Sequence, residues 1–193
     1  MITKDKYDQI ISLLDEIIAP DFKVSNSGGT ITFQESQRDK GKCEKVSIST
    51  TQKVFSCTLD VPILTPFNCF NTRIEKFTTR NDGILFCHKD NKLIIFLIEL
   101  KSNNESKYLK QLKAARNFVE YLVKQINLLS DLHIPFDDIE FRGILFMLGR
   151  KTPPKGKTSK KISAIKFENR NDLICTTLSC NQNYKLQQIK EAV

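Results

Sequence analysis

Residues 84–88 and 93–100 are two almost unbroken apolar runs, ILFCH and LIIFLIEL, joined through the polar Lys89-Asp90-Asn91. A strand with one wet face alternates apolar and polar residues. Runs that are apolar at nearly every position belong to strands covered on both faces. The connection is far too short for a crossover, so the two runs form an antiparallel hairpin at the centre of a sheet. The remainder of the chain has to cover both sides of that hairpin.

Tyr7, Ile10, Ile11, Leu14, Ile17 and Ile18 recur at helical spacing until Ala19-Pro20 ends the run. Residues 25–29 are a turn-rich break. Segments 30–34, 45–49 and 53–61 are rich in β-branched and aromatic residues and read as strands. Pro62 and Pro66 stop them, and 65–80 is an irregular connection with Phe anchors. After Lys101, Ser102-Asn103-Asn104 offers capping side chains to a long amphipathic helix marked by Tyr108, Leu112, Ala115, Val119, Leu122 and Ile126. Segments 141–148, 162–167 and 173–178 read as further strands, with a short helix from Tyr184. This order predicts one α/β domain over 1–193, with a mixed central β-sheet flanked by helices and no internal repeat.

With 193 residues, 40% hydrophobic and 27% charged, the chain can bury a full core and is not a disordered sequence. The longest apolar run, 93–98, cannot span a bilayer, and MITKDKYDQI does not read as a signal peptide. A cytoplasmic protein with no membrane partner is expected. Cys43, Cys57, Cys69, Cys87, Cys175 and Cys180 show no C-x-x-C pair and sit mostly among apolar neighbours, the pattern of reduced, buried thiols. Only His88 and His133 could join them, so spacing argues against a zinc cluster.

Thirty Lys and Arg against 22 Asp and Glu leave a net charge of +8, which favours a polyanionic partner. Six cations fall in residues 150–161, a loop broken by Pro153-Pro154 and Gly156. Lys151, Lys155, Lys157, Lys160 and Lys161 are candidate phosphate contacts, because flexible lysines neutralise a nucleic-acid backbone without reading bases. Composition alone fits a solvated connector equally well.

The ends of the hairpin carry the chemistry. Asp82 opens the first strand, and Glu99 and Lys101 close the second. A hairpin sets the start of one strand beside the end of the next, so Asp82 meets Glu99. The two-residue period of a strand puts Glu99 and Lys101 on one face. Charges at the end of so apolar a run cost desolvation energy unless they are paired or metal-bound. Two carboxylates and a backbone carbonyl form an all-oxygen set suited to Mg²⁺ or Mn²⁺. A neighbouring lysine can orient or deprotonate a water. An E-x-K triplet by itself is weak: Glu105-Ser106-Lys107 matches it in a polar helix start. The blander reading of Glu99 and Lys101 is an ion pair at a sheet rim.

Asn81-Asp82, then Glu99-Leu100-Lys101 on a hairpin followed by a long helix, resembles the PD-(D/E)xK nuclease superfamily, with Asn81 in place of the family's proline. The resemblance covers about residues 80–167 and implies a restriction-endonuclease-like core. By it, Asp82 and Glu99 bind the metal, the Leu100 carbonyl completes the site and Lys101 assists the attacking water. Gln111 stands where some branches carry a glutamine that steadies the centre. Many members add an acid from the first helix, for which Asp15 and Glu16 are both open. The implied activity is Mg²⁺-dependent hydrolysis of nucleic acid, DNA rather than RNA, by a homo-oligomer or with a partner protein. Restriction, repair and phage defence are the processes such cores serve. Two other classes stay open: an inactive subunit on the same fold, and a binding module that works through the 150–161 loop.

Other polar residues read more plainly. Asp60 ends a strand and is either a further acidic ligand or a turn residue. Asp137, Asp138 and Glu140 read as a solvated turn, His88 as a hairpin-turn residue and His133 as a loop residue, neither with a nucleophilic partner.

Overall fold

The computed structural model describes residues 1–34, 43–61, 79–102, 107–148 and 165–192. The predicted hairpin is its centre. Strands β5 (Gly83–Lys89) and β6 (Lys92–Lys101) pair antiparallel, with Gly83 opposite Ile98 and Lys89 opposite Lys92. Asp90 and Asn91 both adopt positive φ, 50° and 59°, as a two-residue turn compatible with strand twist requires. Every residue from Gly83 to Cys87 and from Leu93 to Leu100 is buried.

Around it lie β4 (Phe55–Cys57), β7 (Ile139–Met147), β8 (Glu168–Arg170) and β9 (Leu173–Ser179), in the order β4-β5-β6-β7-β9-β8. The β6–β7 and β7–β9 pairs are parallel and the others antiparallel, giving a mixed sheet in an α/β fold. Helices α1 (Lys4–Ile17) and α2 (Tyr108–Leu129) cover one face, burying Tyr7, Ile10, Ile11 and Leu14 from the first and Leu112, Ala115 and Val119 from the second. No helix among the described residues is long and apolar enough to cross a membrane.

The other face is not covered as expected. Instead of further helices flanking one sheet, β1 (Asn26–Ser27), β2 (Thr30–Gln34), β3 (Lys45–Ser49) and β10 (Asn183–Lys185) form a second sheet in that order, followed by the short α3 (Leu186–Glu191). Ile31, Phe33, Val46 and Ile48 share a core with Leu85, Ile94, Phe96 and Phe146 of the large sheet. The pairing of β10 with β3 is parallel and joins segments more than 130 residues apart, through Asn183 opposite Ser47. Tyr184, expected to open the last helix, therefore lies in a strand, with its hydroxyl donating to the Ser179 carbonyl at 2.6 Å.

Several boundaries also differ. Ile17 is 47% exposed, because the chain leaves the helix at Ile18, which packs on the core in its place. The strand expected over 53–61 contracts to β4. Beyond it the backbone bonds to irregular segments, Thr58 to Phe22 and Leu59 to Asn81. Ser102 does not cap α2; its hydroxyl accepts the Cys43 N–H, and Lys107, with φ 79°, is the N-cap. Asn103 and Asn104 lie outside the described residues. Of the strand expected over 162–167, residues 165–167 are not in a strand: Ile165 and Phe167 pack on the core as side chains, and the edge strand begins at Glu168. Cys43, Cys57, Cys87, Cys175 and Cys180 are buried and not in disulfides, while Cys69 lies outside the described residues.

Arg142, in the middle of β7, is 9% exposed. It donates to Glu140 at 2.6 Å and to the carbonyls of Lys190 and Ala192 at 3.2 and 2.8 Å, fastening the end of α3. Its guanidinium also stacks on Phe167, 5.2 Å from the ring centroid. Arg142→Ala strips these acceptors of their donor and is expected to cost about 2 kcal/mol in urea unfolding. A change under about 0.5 kcal/mol would mean the clamp contributes little.

Candidate functional site

The site lies where β6 ends. The β5–β6 register, with Gly83 opposite Ile98, sets Asp82 beside Glu99 across the strands. Asp82 is 7% exposed, and its Oδ2 accepts the Leu100 N–H at 2.6 Å. That bond continues the hairpin ladder one step beyond β5 with a side chain in place of a carbonyl. In an extended strand a residue's N–H and C=O leave on the same edge. The Leu100 carbonyl therefore faces the side of the strand on which Asp82 stands.

Glu99 is fully buried, and Lys101, a quarter exposed, reaches back along the same face so that its Nζ contacts Glu99 Oε1. Glu99 Oε2 has no hydrogen-bond partner among the described residues, and neither has Oδ1 of the buried Asn81. Asn81 Nδ2 donates to the Gly83 carbonyl and, at 3.5 Å, to that of Ile98, tying the approach to β5 onto β6. Burial pushes the Glu99 carboxyl up to about 9, and the charges of Asp82 and Asp60 push the same way. Lys101 opposes them and is outweighed.

Asp60 is thus an electrostatic member of the group. Its segment runs alongside the approach to β5, through the bond from Leu59 N–H to the Asn81 carbonyl. In the sequence it is one acid at the end of a strand, and only its pairing with a segment 22 positions downstream gives it this role. Gln111, one turn into α2, donates to the Arg80 carbonyl at 3.2 Å. It braces the backbone leading into Asn81-Asp82, which makes it a positioning residue.

The first-helix acids contribute differently from what the resemblance implies. Asp15 is exposed and ion-paired with Lys23 at 3.1 Å, and Glu16 is also exposed. Neither is among the groups whose charge acts on Glu99. Asp138 pairs with the N-terminal amine at 2.6 Å and Glu140 with Arg142, so these acids hold structure together. His88 is in β5, not in the turn; its ring stacks on Tyr7 and Nε2 meets the Ile2 carbonyl at 2.7 Å. His133 is exposed in a loop. Lys151, Lys155, Lys157, Lys160 and Lys161 lie outside the described residues.

Among the described residues no three His, Cys, Asp or Glu converge as a preformed metal cage. The donor set at this edge is two carboxylates with a backbone carbonyl nearby, and it carries an orphaned buried oxygen. A buried carboxylate oxygen left without a hydrogen bond, beside other hard oxygen donors, fits a divalent cation that retains waters, as Mg²⁺ does. Comparison with known proteins finds no matching family model, no curated relative and no similar solved structure.

Proposed function

We propose that this chain is a metal-dependent phosphodiesterase acting on nucleic acid, DNA in preference to RNA, on a restriction-endonuclease-like core. The observation that carries the reading is Glu99: a fully buried carboxylate, set between Asp82 and Lys101 at the end of a central strand, with one oxygen unpartnered among the described residues. An ordinary sheet gains nothing from that arrangement, whereas a cation site needs it. Asp82 and Glu99, with the Leu100 carbonyl, would hold Mg²⁺ or Mn²⁺. The ion supplies Lewis acidity to the scissile phosphate and a more acidic water.

The chain's own residues do the rest. Lys101 has its stem along the sheet and its ammonium at the mouth of the site, so it can hold a water beside Glu99 and donate to a phosphate oxygen as charge develops. Asp82, by accepting the Leu100 N–H, keeps the two strands in register at the reacting end. Gln111 and Asn81 fix the backbone around them. A net charge of +8 suits a polyanionic substrate. We place the protein in the cytoplasm, acting as a homo-oligomer or beside a partner protein that adds specificity, in DNA restriction, repair or phage defence.

The test is cleavage of plasmid and single-stranded DNA with Mg²⁺ or Mn²⁺ by wild type, Glu99→Ala and Lys101→Ala, each checked for folding. Metal-dependent cutting by wild type, lost in both variants, is expected. A folded wild type that binds DNA and cuts nothing would instead identify an inactive subunit on this fold.

A further inference from the structure

The edge that carries Glu99 continues across the sheet to a second group of polar side chains. The registers align Glu99 with Leu145 of β7, and Leu145 with Thr177 of β9. Residues paired in this way share a face, so Thr177 stands on the helix-covered face with Glu99. The two are separated by two interstrand spacings, about 10 Å. Thr177 is exposed, and its hydroxyl accepts from Arg170 Nη1 at 3.2 Å.

Arg170 is held in place from two sides. The same nitrogen donates at 3.0 Å to the hydroxyl of Tyr108, the first residue of α2, so the guanidinium bridges the start of that helix and the end of β9. Both acceptors are neutral and orient the group without cancelling its charge. A carboxylate, Glu168, stands 3.7 Å from Nη2 and is itself 70% exposed. Lys166, exposed, joins Arg170 and Thr177 in lining a surface cleft of about 240 Å³. Two neutral hydroxyls thus orient the guanidinium, and the one acid beside it, Glu168, also lines the cleft but is mostly solvated.

We infer that Arg170 and Lys166 are backbone-phosphate contacts for the nucleic-acid strand whose scissile bond lies at Glu99 and Lys101, so that the substrate runs along the C-terminal edge of the large sheet from β6 to β8. This rests on the function proposed above and adds the direction of the strand. Arg170 presents a preorganised fork to a phosphate and Lys166 a flexible point charge, both without base readout.

The test is binding of fluorescein-labelled duplex DNA, read by anisotropy over a series of salt concentrations in EDTA. Wild type is compared with Arg170→Gln, Lys166→Gln, the double variant and Lys92→Gln. Lys92 is an exposed cation at the turn end of β6 and serves as the control. The slope of log K against log salt is expected to fall by about 0.9 for each lost contact, and the double variant to bind about tenfold more weakly at fixed salt. Lys92→Gln should leave the slope unchanged, and Arg170→Lys should restore most of it by keeping the charge. Lys166 is exposed, so its variant reports even if Arg170→Gln unfolds. Wild-type slopes in both Arg170→Gln and Lys166→Gln, with DNA still bound, would overturn this inference and leave the proposed activity standing. Absence of any DNA binding by folded wild type would overturn both.

Discussion

Glu99→Gln is expected to abolish metal-dependent cleavage, by about a hundredfold or more, and at the same time to stabilise the metal-free protein. The two effects have one cause. Glu99 is buried without a hydrogen bond to its outer oxygen among the described residues, and burial, with Asp82 and Asp60, raises its carboxyl to about 9. Between the ordinary carboxylate range and about pH 9 the folded protein therefore holds a proton that the unfolded chain releases. This contribution to stability is complete below about pH 4.5 and is lost as pH rises through about 9. Gln cannot titrate, so the variant should show a flatter pH profile and gain on the order of 2 kcal/mol over wild type near pH 7.5, shrinking towards pH 4.5.

Metal addition separates this from a merely strained carboxylate. Binding requires the ionised form and releases the proton, so the rise in Tm with Mn²⁺ should grow from pH 6 to pH 9 in wild type and be absent in Glu99→Gln. Equal stabilisation of both proteins by metal, or a variant less stable than wild type throughout, would remove Glu99 from the centre.

Gly83→Ala is expected to cost about 3 kcal/mol, at the upper end of what overpacking a core does. A β-carbon at Gly83 would fall 2.2 Å from Cδ1 and 2.4 Å from Cε1 of Phe33, a ring from the second sheet that is 1% exposed. Neither partner has room to retreat, because Phe33 packs in the layer that joins the two sheets. Gly83 also follows Asp82 directly, so a backbone shift there lengthens the bond from Leu100 N–H to Asp82. Metal-dependent stabilisation should therefore weaken along with the fold. Phe33→Ala removes Cγ, Cδ1 and Cε1, the atoms in the way, and in that background Gly83→Ala should cost less than half as much. An undiminished cost in the double variant would place the strain elsewhere than Phe33.

The helices, the hairpin and the heart of the candidate site were legible because their signals are local. The stripe from Tyr108 to Ile126 repeats every three to four residues and emerges as the buried face of α2. Asp90-Asn91 tolerates the left-handed backbone that a two-residue turn demands. With that turn in place, the two-residue period of strands brings Asp82 to Glu99 by counting alone. Arg142 shows the limit: nothing local marks its partners, which are carbonyls at the end of α3, brought in from the far end of the sequence.

What the sequence determined by itself, then, is everything set by interactions between near neighbours: helical periodicity, turn chemistry, and the charged end of an apolar hairpin. The tertiary structure alone decided that 30–34 and 45–49 form a separate sheet closed by β10, that Asp60 adds its charge to Asp82 and Glu99, and that Arg170 is anchored by Tyr108 at the same edge. The physical reason is that pairing between distant segments is chosen by which surfaces bury together. A backbone N–H or an exposed side chain carries no mark of its partner until those surfaces meet.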